Sequence, residues 1–216
     1  MRPHSHRASP VPVCGAAEGL ADQAVLRRLS LLSGLLPTAV YGGYGKAYLR
    51  DRIRGYNAAA RHASWFVLVD LNDDFECPPK LLQSWLPHPA PAMCLRVAVR
   101  KVEAWLLADG KAIAAFLGVP PSRAPQDPDS LANPKREMVD LARRSRRRRI
   151  RDDMVPRPTS GRVVGDNYTA RIIEFVTTLW RPERAATRSP SLERCLRALC
   201  LLARTAHGSP CSPQPH

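Results

Sequence analysis

An α/β fold built on a parallel sheet is what this chain's sequence predicts, and three observations predict it. The run Trp65-Phe66-Val67-Leu68-Val69 is five large apolar residues with no alternation, the pattern of a strand buried on both faces. Strand-like and helix-like segments alternate before it, which implies right-handed crossovers between parallel strands. Directly after it the chain turns acidic, Asp70-Leu71-Asn72-Asp73-Asp74. In open α/β sheets, ligands bind just beyond the carboxyl ends of the strands. At 216 residues the chain can bury one good core with a helical appendage and does not require two independent domains.

Residues 1–10, rich in Pro, His and Arg, and residues 208–216 read as disordered tails. Residues 11–14 form a short strand, disturbed by Pro12 and Gly15. Ala24, Val25, Leu29 and Leu32 then recur at helical spacing, with Asp22 in the first turn where the helix dipole favours an acid, so a helix is expected over residues 20–33. A second short strand covers 38–41. Gly42-Gly43-Tyr44-Gly45 leads into a basic helix reaching about residue 62, and the strand 65–70 follows. Proline interrupts the pattern over 78–91, after which 93–97 reads as a strand and 99–108 as a helix. Asp109 is placed to cap a further helix through Leu117. Residues 119–134, with five prolines, form a linker; Asn133-Pro134 then supplies a cap and a first-turn proline for a helix ending in the arginine run 143–149. Helices over 166–180 and 191–205 complete the chain. The expected organisation is an α/β core over 11–118, with a linker and helical C-terminal part over 119–207 packed on it.

Charge bears on partners. The chain carries 33 Lys+Arg against 19 Asp+Glu, a formal net charge of +14. Such a surface attracts polyanions, nucleic acid above all, although only five of the 33 are Lys and an Arg-heavy sequence also follows from genomic base composition. No run of about 18 apolar residues indicates a membrane span, and the N-terminus lacks the apolar stretch of a secretory signal, so a cytoplasmic protein with no membrane partner is expected. Cys14, Cys77, Cys94, Cys195, Cys200 and Cys211 show no Cys-x-x-Cys spacing, which argues for reduced structural thiols and against zinc.

The chemistry-bearing candidates are mostly acidic. Asp70 and Asp74 stand where a divalent cation and a phosphate can meet. Glu18-Gly19-x-x-Asp22 opens the first helix. Its acids read as ordinary caps unless the first strand lies beside the Asp70 strand, in which case Glu18 and Asp70 emerge at one sheet edge. Glu103 shares the stripe Val99, Val102, Glu103, Leu106, so its carboxylate points toward a packed face; it is either a site residue or is neutralised by Arg100 and Lys101. Arg143, Arg144, Arg146, Arg147, Arg148, Arg149 and Arg151 form either a phosphate-backbone anchor or a solvated helix end. The loop Gly42 to Lys46 lacks the first glycine and the Ser/Thr of a Walker A motif, so no nucleotide cofactor is expected; it reads as a tight turn or a weak phosphate cradle.

Together these residues carry a resemblance. Glu18-Gly19-x-x-Asp22, followed by a strand ending Asp70-Leu71-Asn72-Asp73-Asp74, resembles the Toprim signature of an early Glu-Gly and a later Asp-x-Asp. The stretch Glu103-Ala104-Trp105-Leu106-Leu107-Ala108-Asp109, and the late segment Ser189 to Cys195, resemble one Toprim-like family of uncharacterised bacterial proteins, domain of unknown function 4276. The resemblance implies a Toprim-like fold related to nucleases of the overcoming-lysogenisation-defect type, with a place in phage defence beside an ATPase subunit. It implies Glu18 as general acid/base or metal ligand, Asp70 and Asp74 as magnesium ligands, and Glu103 completing the cluster. Asn72 stands where the second Asp of Asp-x-Asp is expected, offering a neutral oxygen in place of a charge. The reading is a magnesium-dependent nuclease or effector subunit; its alternative is a non-catalytic nucleic-acid-binding or regulatory subunit on the same scaffold.

Overall fold

A computed structural model describes residues 9–206. Most of the two expected tails, with His4, His6 and Cys211, lies outside the described residues. The element order is β1 (Val11–Ala17), α1 (Leu20–Leu32), β2 (Leu35–Gly42), α2 (Gly45–Ala59), β3 (Ser64–Asp70), α3 (Pro78–Trp85) and β4 (Met93–Ala98). Then come α4 (Val102–Ala108), α5 (Gly110–Leu117), two 3-10 turns, α6 (Pro134–Arg143), α7 (Arg148–Met154), α8 (Tyr168–Thr178), α9 (Pro182–Ala186) and α10 (Pro190–Ala206). The four strands form one sheet in the order β2-β1-β3-β4, with every pairing parallel. The fold is α/β, with helices on both faces and a helical C-terminal part.

β3 is an inner strand, and its apolar run divides by parity. Phe66 and Leu68 join a core with α1 and the C-terminal helices, while Trp65, Val67 and Val69 join a second core with α2 and α3. Burying each such side chain is worth roughly 1.5–3 kcal/mol before entropy is counted, which is why the strand reads as continuous apolar sequence. The first core takes in β1, α1 and α4 together with α6, α8 and α10, so the C-terminal helices complete the interior of the sheet's own layer.

Three expectations are corrected. β1 runs to Ala17, well past the predicted four residues. Pro12 is tolerated because it precedes Val13, where pairing with β3 begins, and Gly15 lies at a register irregularity where a Cβ would meet Leu26 Cδ2 at 2.7 Å, so its absence lets α1 pack closely. The proline-rich stretch contains α3, because Pro78 and Pro79 occupy the first helical positions, where a missing N–H costs nothing. The arginine run does not end one helix. α6 stops at Arg143, Ser145 is buried with its hydroxyl donating to Leu117 O, and α7 starts at Arg148. Among the smaller differences, α4 begins at Val102 and not at Val99, and the short α9 precedes α10. No described helix is long and apolar enough to cross a membrane.

Candidate active site

The site assembles at the carboxyl ends of β1 and β3. Gly42, at φ 102°, closes β2; a Cβ there would lie 2.0 Å from Ala17 O, so only glycine permits the approach. Beyond it Gly43 N–H donates to Ala17 O at 3.1 Å and Gly45 N–H to Glu18 O at 2.9 Å. The glycine loop is thus a tight turn that clamps the backbone of Glu18. Glu18 Oε1 in turn accepts the backbone N–H of Asp70 at 2.8 Å. Asp70 Oδ1 accepts the N–H of Val102 at 2.9 Å, the first residue of α4, an acid at a helix start as the dipole favours. Glu103 follows on α4 and is buried. Neither Arg100 nor Lys101 is its partner: Tyr168 of α8 donates its hydroxyl to Glu103 Oε1 at 3.2 Å, and Lys135 of α6 stands 3.5 Å from the same oxygen.

Asp22, in the first turn of α1, completes a group of four acids. Its carboxyl pKa is pushed up from 3.8 to about 7, first by burial and then by the charges of Glu103 and Glu18, with Lys135 opposing. Asp70 is pushed well above the usual carboxylate range by burial, then by Asp22, Glu103 and Glu18. Burial also raises Glu18, and burial followed by the Glu103 charge raises the Tyr168 phenol. Carboxyls that raise one another in this way hold protons or need cations, and they titrate as a group. Three of the chain's five lysines supply part of that positive charge: Lys135 opposes the Asp22 shift, Lys101 the Asp70 shift and Lys46 the Glu18 shift.

Two expected ligands stay at the rim. Asn72, at φ 52°, has its Oδ1 taken by Lys101 Nζ at 2.6 Å. Exposed Asp74 pairs with Lys46 at 2.8 Å, and the same ammonium donates to Asp70 O at 2.6 Å and Leu71 O at 3.0 Å. Beside the acids opens a cleft of about 490 Å³ lined by Lys101, Asn133, Lys135, Arg136 and Arg143 among others. Of the expected nucleic-acid-binding arginines, only Arg143 lines it. Arg143 pairs with Asp140, Arg148 with Asp152 and Arg149 with Asp153. Arg147 donates to Phe116 O and Arg151 to Ser145 O, while Arg144 and Arg146 are exposed. The residues that sequence reasoning left out of the site are Asp22, Lys46, Lys101, Lys135 and Tyr168. Asp22 carried a signal in its spacing from Glu18; Lys135 and Tyr168, far along the chain, carried none.

Magnesium suits an all-oxygen donor set. One oxygen of Glu18, one of Asp70 and one of Glu103 are committed within the protein. Among the described residues no three His, Cys, Asp or Glu side chains form a ready-made metal cage, so coordination requires these carboxylates to draw inward. The raised pKa values of Glu18, Asp22 and Asp70 supply the reason to do so, because a cation relieves the repulsion that a proton otherwise relieves. Comparison with protein-family models, with curated proteins and with solved structures returns no match.

Proposed function

We propose that this chain is a Toprim-like, magnesium-dependent nucleic-acid-binding protein that cleaves phosphodiester bonds. The observation that carries this reading is the convergence of Glu18, Asp22, Asp70 and Glu103 at the carboxyl end of a parallel sheet in a chain of net charge +14. Glu18, Asp22 and Asp70 are the residues that would hold the metal, with Glu103 behind them. Bound there, magnesium would supply an activated water and a stabilised leaving oxygen. The protein's own part is positional. The basic cleft between Lys101 and α6 receives a phosphate backbone through Lys135, Arg136 and Arg143. Burial raises the Glu18 carboxyl pKa, which favours its holding a proton until a cation takes that place. Lys46, fixed on the carbonyls of Asp70 and Leu71, holds the acidic loop against the site. The role of effector beside an ATPase in phage defence follows from the sequence resemblance and belongs to this same proposal.

One observation favours the second reading, a non-catalytic binding subunit: Lys101 occupies the oxygen of Asn72, at the position where an Asp-x-Asp pair would present its second charge. The experiment that separates them incubates labelled single- and double-stranded DNA and RNA with the protein in magnesium, manganese or chelator. Cleavage in metal that Asp22→Asn and Asp70→Asn abolish, with native circular dichroism, supports the nuclease. Salt-dependent binding without cleavage, unchanged in both variants, establishes the second reading in its place.

A further inference from the structure

We infer that the edge of the molecule formed by β2 and the start of α2 is a stacking surface for single-stranded nucleic acid, an inference that rests on the nucleic-acid reading above and narrows its substrate class. Aromatic residues are scarce here, 6% of the chain, yet four of its five tyrosines fall at 41, 44, 48 and 56. They are organised in two groups. Tyr41, on edge strand β2 and 47% exposed, stacks on Trp65 with centroids 5.7 Å apart and planes 16° apart; Trp65 stacks on Tyr56 at 4.8 Å and 23°. Tyr44, 76% exposed at the mouth of the glycine loop, lies against Tyr48 at 4.9 Å, and the Arg52 guanidinium covers the Tyr48 ring at 4.4 Å.

Spacing explains why the second group shares a face. Tyr44, the N-cap of α2, and Tyr48 and Arg52 within the helix are spaced i, i+4. Tyr44, 76% exposed beside the site, touches Tyr48 but leaves most of its ring open to solvent, with a cation over the ring next to it. Rings held by neighbouring rings lose little freedom when a base lies on them, and every base has a π-face, so such a platform binds single strands without reading sequence. A duplex keeps its bases stacked internally and offers these rings nothing. The charge is complementary as well. Arg50, Arg52 and Arg54 are exposed and form no ion pair among the described residues, whereas Arg143, Arg148 and Arg149 are each paired with an aspartate. The surface is continuous with the site through the loop itself, since Gly45, next to Tyr44, donates to Glu18 O.

The test is fluorescence anisotropy in chelator with a labelled oligothymidylate and a labelled duplex, alongside sedimentation velocity and a magnesium cleavage assay on the same proteins. The double variant Tyr44→Ala, Tyr48→Ala is expected to weaken oligothymidylate binding by at least about tenfold and to leave duplex binding within about twofold, with Tyr44→Phe, Tyr48→Phe restoring the wild-type value. Oligothymidylate binding unchanged in the alanine variant overturns the inference, as does a loss of self-association in that variant with unchanged nucleic-acid binding, which would make the face a contact between copies. The two proposals fail separately. Wild-type protein that binds oligothymidylate through these tyrosines but cuts nothing in magnesium ends the nuclease and keeps this surface; wild-type protein that cuts, with tyrosine variants binding equally well, does the reverse.

Discussion

Glu18 Oε1 accepts the backbone N–H of Asp70 at 2.8 Å, so the two acids that sequence places 52 residues apart are joined by a hydrogen bond from the end of one strand to the end of its neighbour. The bond uses one oxygen of Glu18 and none of Asp70, whose Oδ1 goes to Val102 N–H at 2.9 Å. The pair is thereby tied to the start of α4, which brings Glu103 in behind it. Glu18 and Asp70 are thus positioned by main-chain bonds, which leaves their remaining carboxyl oxygens to respond to protons and cations.

Stability in the absence of divalent metal is expected to fall as pH rises from about 4 to about 7. The folded pKa of Asp22, about 7, lies above its value of 3.8 in the free chain, and those of Glu18 and Asp70 are raised too. Between the two values the folded protein retains protons that the unfolded chain has released, so folding is favoured at the acidic end and that advantage is lost as pH rises through the folded pKa. At about 1.4 kcal/mol per pKa unit, a shift of the size seen at Asp22, shared with the acids that titrate with it, amounts to a few kcal/mol across the window. Urea unfolding at pH 4.5, 6 and 7.5 measures it. Asp22→Asn should flatten the slope and leave the variant more stable than wild type at pH 7.5.

Magnesium should reverse the same loss. At pH 7.5, saturation at ten times the dissociation constant stabilises a single-site protein by about 1.4 kcal/mol, readable as a rise in Tm that calcium shares and potassium does not. Because Asp22 is still partly protonated near neutrality, binding should also release protons. Calorimetry in two buffers of different ionisation enthalpy would show this as a buffer-dependent heat. Asp22→Asn is expected to reduce the proton release, with Asp70 and Glu18 supplying the remainder, and to weaken binding by roughly tenfold; Asp74→Asn, which touches Lys46 at the rim, should change either by less than about twofold.

The fold was legible where sequence and burial share a period. β3 announces itself because both its faces are packed, and the acids at its end follow from the topology. β1 was legible only in its first four residues and α3 not at all, because proline and glycine read as breakers, whereas Pro12 precedes the β3 pairing, Gly15 makes room for α1, and Pro78 and Pro79 sit in a helix's first turn. The site was half legible. Glu18, Asp70 and Glu103 were identifiable, but the burial that raises Asp22 is imposed by the packing of distant chain, and Lys135 and Tyr168 come from helices that begin 31 and 65 residues or so beyond Glu103. No local pattern encodes such a meeting.

Asp109 and Arg181 make a structural counterpart to the site. Asp109 closes the Glu103–Asp109 stretch and is 3% exposed. It caps α5 through Ala112 N–H and receives three donors from Arg181: Nε at 2.8 Å, Nη2 at 2.5 Å and the backbone N–H at 3.1 Å. Arg181→Met leaves a buried carboxylate without its cation, which typically costs roughly 3–5 kcal/mol. Urea unfolding should register that loss, while magnesium affinity per folded molecule stays unchanged. A loss of magnesium affinity without loss of stability would instead place Asp109 in the acidic site.

The arginine run should divide into two classes under mutation. Arg147 and Arg151 donate to Phe116 O and Ser145 O, so Arg147→Met and Arg151→Met remove charged donors from main-chain carbonyls at the corner between α6 and α7. Each is expected to cost about 1.5–3 kcal/mol of stability, with little effect on nucleic-acid affinity. Arg144 and Arg146 are exposed, and among the described residues only their backbone N–H groups are bonded, to Leu141 O and Gly118 O. If they meet phosphate, the double variant Arg144→Ala, Arg146→Ala keeps wild-type stability and lowers the slope of log affinity against log salt by about 2, because each lost phosphate contact removes roughly 0.9 from that slope on duplex DNA. Paired Arg148 and Arg149 give up exposed ion pairs worth about 0.2–1 kcal/mol each, so their alanine variants should sit between the classes. An unchanged salt slope in the Arg144, Arg146 variant would move the electrostatic footprint to the cleft of Lys135, Arg136 and Arg143 and to α2.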